Sequence, residues 1–439
     1  MVKRHFAAWM LMIVMFFVAA ACSADEQAAP QPTPAGTVRE ADNEPAAATV
    51  PEPAPPAELI IHSSSGWTEE TVDERFANAV REKFPHHTIT YIRTGADSNY
   101  SALITSGVTI DIFFESIAQM SLGPLPVGLE QDMEELVRKY NIDLSVFEPS
   151  MIDVIRTMGE GKLVALPFLN NTLSLYYNKD IFDRFGVSYP TDDMTWNEII
   201  ELARTLTREE DGQKYYGLAI AMGHMLRLNQ MSMPYVDLET VEPTIANERW
   251  KILIDRLLVP LYQIQEESPP NFLTQQTVAM QAGLANIHLN NDMSDMNWDV
   301  AALPTFEELP GVGPQLYPTY VGVSKVSKHQ EQSMEIIQYL VSEEFQTKVA
   351  EIGALPAIRT DQILERFGTA TDFQDKNIRS VFYENHAPIT VKTKYDTEIE
   401  RVYNSNINLL LSGEIDTNTM MRQAYEEAKL KLSELMQAD

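Results

Sequence analysis

Hydrophobic residues near position 60 change from an unbroken run to a spaced pattern. The run Leu59–Ile61 passes into "HSSSGW", and the segment that begins at Thr68 keeps helical spacing until Pro85 ends it. Its apolar residues stand at positions 72, 76, 80 and 84. Such spacing is typical of an amphipathic helix, and proline stops a helix. With the run "HTITYIRTG" that follows, the pattern predicts a strand, a helix and a second strand.

The alternation of strands and helices continues along the chain. A short helix is predicted at Tyr100–Thr105, and a buried strand at "TIDIFFES" ends on Glu115 and Ser116. Strands that alternate with helices form parallel sheets, and ligands bind beyond the carboxyl ends of such strands. Ser63–Trp67 and Glu115–Ser116 stand at two of these ends.

Caps and periodicity predict further elements. Thr195 and Glu198 form a capping box ahead of the apolar stripe in "TWNEIIELARTLT". Helices are also predicted at Glu331–Ser342 and Asn418–Met436, and a strand at Trp298–Pro304.

Two amides interrupt an otherwise apolar stretch, "LVALPFLNNTLSLYYNKDIF" at 163–182. The runs on either side are strand-like, and Asn170 and Asn171 stand between them. Polar side chains among buried strands need hydrogen-bond partners, which the protein or a ligand must supply.

The first residues have the pattern of a secretory signal. Lys3 and Arg4 precede the apolar run "FAAWMLMIVMFFVAAA", and Cys22, the one cysteine of the chain, follows it. "VAAAC" resembles the bacterial lipobox, in which the cysteine is diacylated and starts the mature protein; Ala19 stands where leucine is commonest. We therefore expect a signal peptide at 1–21 and a lipidated Cys22, with ordinary secretion as the alternative.

The segment that follows Cys22 is unsuited to folding. Residues 23–57 contain eight prolines and ten alanines and no aromatic residue. Such a segment buries too little to order itself and spans distance as a semi-extended linker. We interpret 22–57 as a disordered tether to the outer face of the cell membrane, in a Gram-positive bacterium.

Charge and motifs exclude several classes of function. The chain has 33 basic and 63 acidic residues, a net charge of −30, which excludes a general nucleic-acid binder. The sequence contains no nucleophile elbow, phosphate-binding loop or dinucleotide fingerprint, and its histidines lack metal-ligand spacing. We therefore predict no enzyme activity, no cofactor and no metal site.

Five segments in order resemble the extracellular solute-binding lipoproteins of ABC importers, in the group that includes sugar and maltodextrin binders. They are "GKLVALPFLNNTLSLYYNKDIFDRFGV", "MTWNEIIELARTLT", "TQQTVAMQAG", "WDVAALPTF" and "YVGVSKVSKHQEQSMEIIQYLVSEEFQTKVAEIGALPAI". The resemblance implies an α/β, two-lobed periplasmic-binding-protein-like fold of class II type, with a hinge and an interlobe cleft.

The resemblance also implies where the chain passes between the lobes. Lobe 1 is expected at 58–166 plus about 304–329, and lobe 2 at 170–302 plus about 332–439. Crossings are then expected at Pro167–Thr172, near Pro304 and near 328–332. Ligand contact with both lobes would favour the closed state.

The resemblance suggests the following ligand-binding residues: Ser64, Ser65, Trp67, Glu115, Ser116, Phe168, Asn170, Asn171, His224, Asn286, Tyr320, Tyr395 and Asp396. Asn171 falls where maltodextrin-type relatives have a carboxylate, and an amide both donates and accepts hydrogen bonds. The aromatic members of the set are expected to stack on a sugar ring.

The leading hypothesis is a monomeric, surface-anchored protein that delivers a mono- or oligosaccharide to an ABC permease. The alternatives are a polyamine or other small-solute binder, a sensor that feeds a signalling partner, and a glycan-degrading lipoprotein enzyme. The composition of the cleft separates them, because cations need several carboxylates and glycan hydrolysis needs a matched carboxyl pair.

Overall fold

A computed structural model describes residues 54–265 and 267–438. The predicted signal segment, Cys22 and the tether up to residue 53 lie outside the described residues. Within the described residues, no helix is both long enough and apolar enough to cross a lipid bilayer.

The strands are β1 (Glu58–Ser63), β2 (Thr88–Arg93), β3 (Ile112–Ser116), β4 (Leu166–Leu169), β5 (Leu173–Asn178), β6 (Arg208–Glu210), β7 (Gln213–Ile220), β8 (Val236–Asp237), β9 (Glu242–Pro243), β10 (Val278–Leu284), β11 (Trp298–Ala302), β12 (Val312–Gly313), β13 (Thr319–Val323) and β14 (Asn385–His386). The α-helices are α1 (Glu69–Val72), α2 (Asn78–Lys83), α3 (Tyr100–Thr105), α4 (Ile117–Met120), α5 (Glu134–Lys139), α6 (Pro149–Met158), α7 (Lys179–Phe185), α8 (Trp196–Leu206), α9 (Met222–Arg227), α10 (Glu248–Leu253), α11 (Val259–Gln265), α12 (Phe272–Gln275), α13 (Ile287–Asn290), α14 (Gln330–Leu340), α15 (Glu343–Glu351), α16 (Asp361–Glu365), α17 (Asp396–Leu411) and α18 (Thr417–Ala438). Two π turns (Asp73–Ala77, Ile254–Leu258) and two 3-10 turns (Leu144–Val146, Ile378–Val381) complete the set.

Two five-stranded sheets organise the chain into two lobes. The first sheet has the order β2-β1-β3-β13-β4, with β1 parallel to β2 and β3 and with β13 antiparallel to its neighbours. The second has the order β11-β5-β10-β7-β6, with β10 parallel to β7 and antiparallel to β5. The predicted α/β fold with two sheets is confirmed.

The local predictions at the start of the fold are confirmed. β1 and β2 are parallel and are joined by α1, a π turn and α2. These three elements bury Val72, Phe76 and Val80, respectively. The capping box of α8 is also present: the Glu198 backbone N–H donates to Thr195 Oγ1 over 3.4 Å, and the Thr195 N–H donates to Glu198 Oε2 over 2.8 Å.

β4 and β5 flank the two amides and belong to different sheets, as predicted. The second crossing differs from the prediction. Thr305 forms a bridge with Thr195 and Phe306 packs in the second lobe, so the chain stays there beyond Pro304. The chain crosses at 314–318, immediately before β13. The crossing lies there because β13 belongs to the first sheet, where it pairs with β3 and β4.

The third crossing also lies later than predicted. α14 and α15 were expected in lobe 2, yet α14 contacts β13 and α2, and the Gln346 side chain of α15 donates to Phe168 O over 2.7 Å. Both helices therefore cover the first sheet. The chain reaches the second lobe near Phe373, whose ring packs on His288 and Trp298, and the 3-10 turn Ile378–Val381 that follows packs on β11.

The last residues of the predicted tether, 54–57, are held by the first lobe. The Ala54 N–H donates to Glu335 Oε1 over 2.7 Å, and the Ala57 N–H donates to His87 Nδ1 over 3.2 Å. The backbone that precedes β1 is thereby fixed to α14 and to the turn before β2.

His86, His87 and Glu335 place potential metal ligands within 4.8 Å of one another. Because His87 Nδ1 accepts the Ala57 N–H, the proton of the neutral ring lies on Nε2, which faces Glu335 Oε2 at 3.6 Å. A metal ligand would need the lone pair of that nitrogen and would normally donate from the other one. The group fits an anchor for residues 54–57 and does not fit a metal centre.

Candidate functional site

The carboxyl ends of β1 and β3 bring a serine turn onto a buried carboxylate. The Ser64 N–H donates to Glu115 Oε1 over 2.5 Å, and the Tyr100 hydroxyl donates to the same oxygen over 2.8 Å. Gly66, at φ +73°, provides the left-handed backbone that this turn needs before Trp67. Ser64 Oγ and Glu115 Oε2 are buried without a partner among the described residues.

Burial decides the protonation of this carboxyl group. It raises the pKa of Glu115 to about 7, against the lowering effect of the hydrogen bonds from Ser64 and Tyr100. The group is therefore part neutral and part ionised near neutral pH. Because the Glu115 side chain is fully buried, this carboxyl group holds the serine turn in place and does not itself contact a solute.

Tyr317 links the two lobes from within the second crossing. Its hydroxyl lies 3.2 Å from Ser116 Oγ in the first lobe, and its ring meets the His224 ring of the second lobe edge-on, with centroids 6.3 Å apart. Its backbone N–H donates to Asn171 O over 2.8 Å. The first two crossings thus run side by side.

The two amides that interrupt the apolar stretch belong to this junction. Asn170 Oδ1 accepts the Asn171 N–H and Asn171 Oδ1 accepts the Thr172 N–H, each over 2.9 Å. The Asn170 N–H donates to Leu355 O over 3.0 Å. The side-chain oxygens therefore shape the hinge backbone, while the Nδ2 groups form no hydrogen bond within the described part of the chain.

A charged network supports the site in the second lobe. Arg227 pairs with Glu400 over 2.6 Å, and Lys392 Nζ donates to Arg227 O over 2.8 Å. Burial lowers the pKa of Lys392 to about 8 and raises that of Asp396, whereas the Thr393 hydroxyl and the Lys392 charge oppose the rise at Asp396. Burial, with the Arg227 charge, lowers the pKa of His224, so His224 is neutral near pH 7.

Asn286 stands beside the first crossing. The neighbouring Ala285 N–H donates to Thr172 O over 2.9 Å, and Asn286 Oδ1 is buried without a partner among the described residues. Its unused oxygen is an acceptor one residue away from this backbone contact with the first crossing.

Comparison with known proteins decides the family. Residues 65–347, well over half of the chain, match the model of the bacterial extracellular solute-binding proteins. The chain belongs to that family. A solute-binding protein of this family functions at an extracellular or periplasmic location.

The relatives differ in what they bind. One is the sn-glycerol-3-phosphate-binding periplasmic protein UgpB of Yersinia enterocolitica, 38% identical over 61 residues that make up 14% of each chain. Another is the mannitol-binding protein of Pseudomonas aeruginosa, 29% identical over 137 residues, 29% of this chain and 30% of the relative. The matched segments thus span less than a third of these two curated relatives.

Solved structures support the fold over nearly the whole length. The sugar-binding protein MalE of Xanthomonas citri superposes with a TM-score of 0.67 at 16% identity, covering 87% of this chain and 98% of that one. The two-lobed solute-binding fold is therefore confirmed.

Two of the residues expected to bind solute are core residues of this solute-binding protein. Phe168 is fully buried against Phe76 and Phe114, and the Tyr320 hydroxyl donates to Met151 O over 2.7 Å inside the first lobe. Both lie on strands of a sheet that is covered on both faces, so neither ring reaches a ligand.

The other candidates are distributed around the crossings. Ser64, Ser65, Trp67, Glu115 and Ser116 lie at the edge of the first sheet, Asn170 and Asn171 in the first crossing, and His224, Asn286, Tyr395 and Asp396 in the second lobe. Sequence reasoning missed Tyr317, Arg227, Lys392 and Glu400. "LYP" signals a non-helical backbone at Tyr317, but its role depends on where the second crossing lies.

Proposed function

We propose that this solute-binding protein captures a carbohydrate, a mono- or oligosaccharide, between its lobes and delivers it to an ABC permease without chemical change. The observation that carries the proposal is the set of contacts through Tyr317, which joins Ser116 of one lobe to His224 of the other. A solute that touches these residues contacts both lobes and favours their closure.

The polar groups around this junction suit hydroxyl groups. Ser64 Oγ and Asn286 Oδ1 are buried without a partner among the described residues, and the Nδ2 groups of Asn170 and Asn171 donate no hydrogen bond to any of those residues. Together they donate and accept, as sugar hydroxyls require. Mannitol and sugar binding by the relatives named above is consistent with this ligand class.

The carboxylates argue against a polyamine. Glu115 is fully buried and Glu400 is paired with Arg227, while Lys392 and Arg227 act on Asp396. A cationic solute would need carboxylates that lack such compensation.

Anchoring on the outer face of the membrane through a lipid on Cys22 is part of the same proposal. It rests on the sequence "VAAAC" and the proline-rich segment after it. Residues 54–57, where that segment meets the fold, are hydrogen-bonded to the first lobe.

Thermal unfolding in the presence of candidate solutes tests the ligand class. The chain from Ser23 onward, which keeps every residue that the structure describes, is mixed with D-mannitol, glucose, maltose, maltotriose, spermidine or glutamate. A solute at one hundred times its Kd stabilises the folded state by about 2.7 kcal/mol. We expect a carbohydrate or polyol to raise Tm. A rise with spermidine alone would favour the polyamine alternative instead.

Asn171→Ala is expected to weaken binding of the carbohydrate that gives the largest shift, by up to about tenfold, because one hydrogen bond to a neutral hydroxyl contributes about 1 kcal/mol. Tm without solute should fall modestly, because the buried Thr172 N–H loses its acceptor Asn171 Oδ1 while the backbone bond from Tyr317 to Asn171 O remains. Calorimetric titration measures the affinity, with the exposed Asn197→Ala as the control. An unchanged affinity, or loss of the fold, would make Asn171 a structural residue only.

A further inference from the structure

The first helix of the fold contains a π turn that presents one cation. Asp73–Ala77 forms this turn between α1 and α2, and Arg75 is its central residue. The Arg75 guanidinium carbon lies 4.7 Å from the centroid of the Trp67 ring. Single π turns are rare and recur at functional sites, because the wider turn redirects its side chains.

Arg75 reaches across to the other lobe. Its Nη2 donates to Asn290 Oδ1, and Asn290 ends α13, the short helix after β10 of the second sheet. The contact lies outside the crossings and joins α1–α2 of the first lobe to the β10–α13 segment of the second.

The hydrogen bond to Asn290 is the main polar contact of Arg75 among the described residues. Burial lowers the pKa of the Arg75 guanidinium and the Glu74 charge opposes that change, yet no carboxylate of the described residues forms an ion pair with it. A guanidinium has five N–H donors, so a charged partner at position 290 would strengthen the contact.

A cavity of about 230 Å³ lies beside the contact. Its lining includes Thr71, Glu74 and Arg75 from the first lobe, Leu289 and Asn290 from the second, and Leu169 before the first crossing. The lobes therefore have open volume between them at this point, and the side chains of Arg75 and Asn290 span it.

We propose that Arg75 and Asn290 form an interlobe latch, a positioning pair that holds the lobes in the arrangement of this structure before solute binds. The inference rests on the proposed function, in which closure captures the solute. If the latched arrangement is the one that binds solute, a larger fraction of it raises the apparent affinity in proportion. Trp67 holds the guanidinium in place by stacking.

The distance between two spin labels tests the latch without any solute. The chain from Ser23 onward contains no cysteine, so Glu82→Cys on α2 and Asn197→Cys on α8, both exposed, give one label on each lobe. Arg75→Ala should shift the distances to longer values. Asn290→Asp, which adds a carboxylate opposite Arg75, should shorten and narrow them, and about 1 M NaCl should reverse that gain.

Arg81→Ala is the matched control, because Arg81 belongs to the same helical segment but pairs with Asp73 of its own lobe over 2.7 Å. It should leave the distances unchanged. Distances that are the same in Arg75→Ala, Asn290→Asp and wild type would overturn the latch. Should Arg75→Ala fail to fold, the Asn290→Asp result decides alone. Failure of the carbohydrate screen would leave this measurement intact, so the two proposals fail separately.

Discussion

Replacing Glu115 by Gln removes a pH dependence of about 2.5 kcal/mol from the free energy of unfolding between pH 8 and pH 5. The pKa of Glu115 is about 7 in the folded state, against 4.5 for an ordinary glutamate, and burial is the main cause. The folded protein therefore holds the proton more tightly than the unfolded chain. This stabilisation is present at low pH and is lost as the pH rises through 7.

Urea unfolding at pH 5 and pH 8 measures the difference between wild type and the Glu115→Gln variant. Relative to the variant, the wild type should gain stability on acidification. The exposed Glu135→Gln is the control and should follow the wild type at both values. A constant difference between wild type and Glu115→Gln would show that the carboxyl group titrates normally.

Replacing Gly217 by Ala is expected to cost about 3 kcal/mol or more, because β7 packs directly on the backbone of α8. A Cβ atom at Gly217 would lie 2.1 Å from the carbonyl oxygen and 2.4 Å from the Cα of Ala203, and backbone cannot move aside as a side chain can. Thermal or urea unfolding should show a clear loss of stability.

Gly283→Ala on the neighbouring strand β10 is the matched comparison. There the nearest atom to an added Cβ is Ala221 Cβ at 3.5 Å, an ordinary contact. We expect a change within about 0.5 kcal/mol, or slight stabilisation from the smaller entropy of the unfolded chain. Equal losses at both positions would contradict the close approach of β7 and α8.

The sequence predicted those helices, strands and caps that depend on residues close together in the chain. The apolar spacing of 72, 76 and 80, the capping box at Thr195 and the two amides between β4 and β5 each depend on residues a few positions apart. They predicted individual strands and helices, whereas the two-lobed fold and the first crossing were expected from the resemblance to solute-binding proteins.

Long-range packing decided the parts that the sequence did not reveal. Crossings two and three lie later than predicted because β13, α14 and α15 all complete the first lobe, and nothing near Pro304 or His329 marks which lobe they join. Tyr320 and Phe168 looked like stacking residues, yet their strands are covered on both faces. The contacts of Tyr317 with both lobes depend on the position of the second crossing, which the sequence does not indicate.

The most direct test of the central claim is the distance between the spin labels at Glu82→Cys and Asn197→Cys when the carbohydrate selected by thermal unfolding is added. Binding between the lobes predicts a shift to shorter, narrower distances at a saturating concentration. The second lobe alone also contains a cavity of about 530 Å³, lined by Ile220, Gln281 and Asn404 among others. Tight carbohydrate binding with unchanged distances would place the solute in a single lobe and contradict the account.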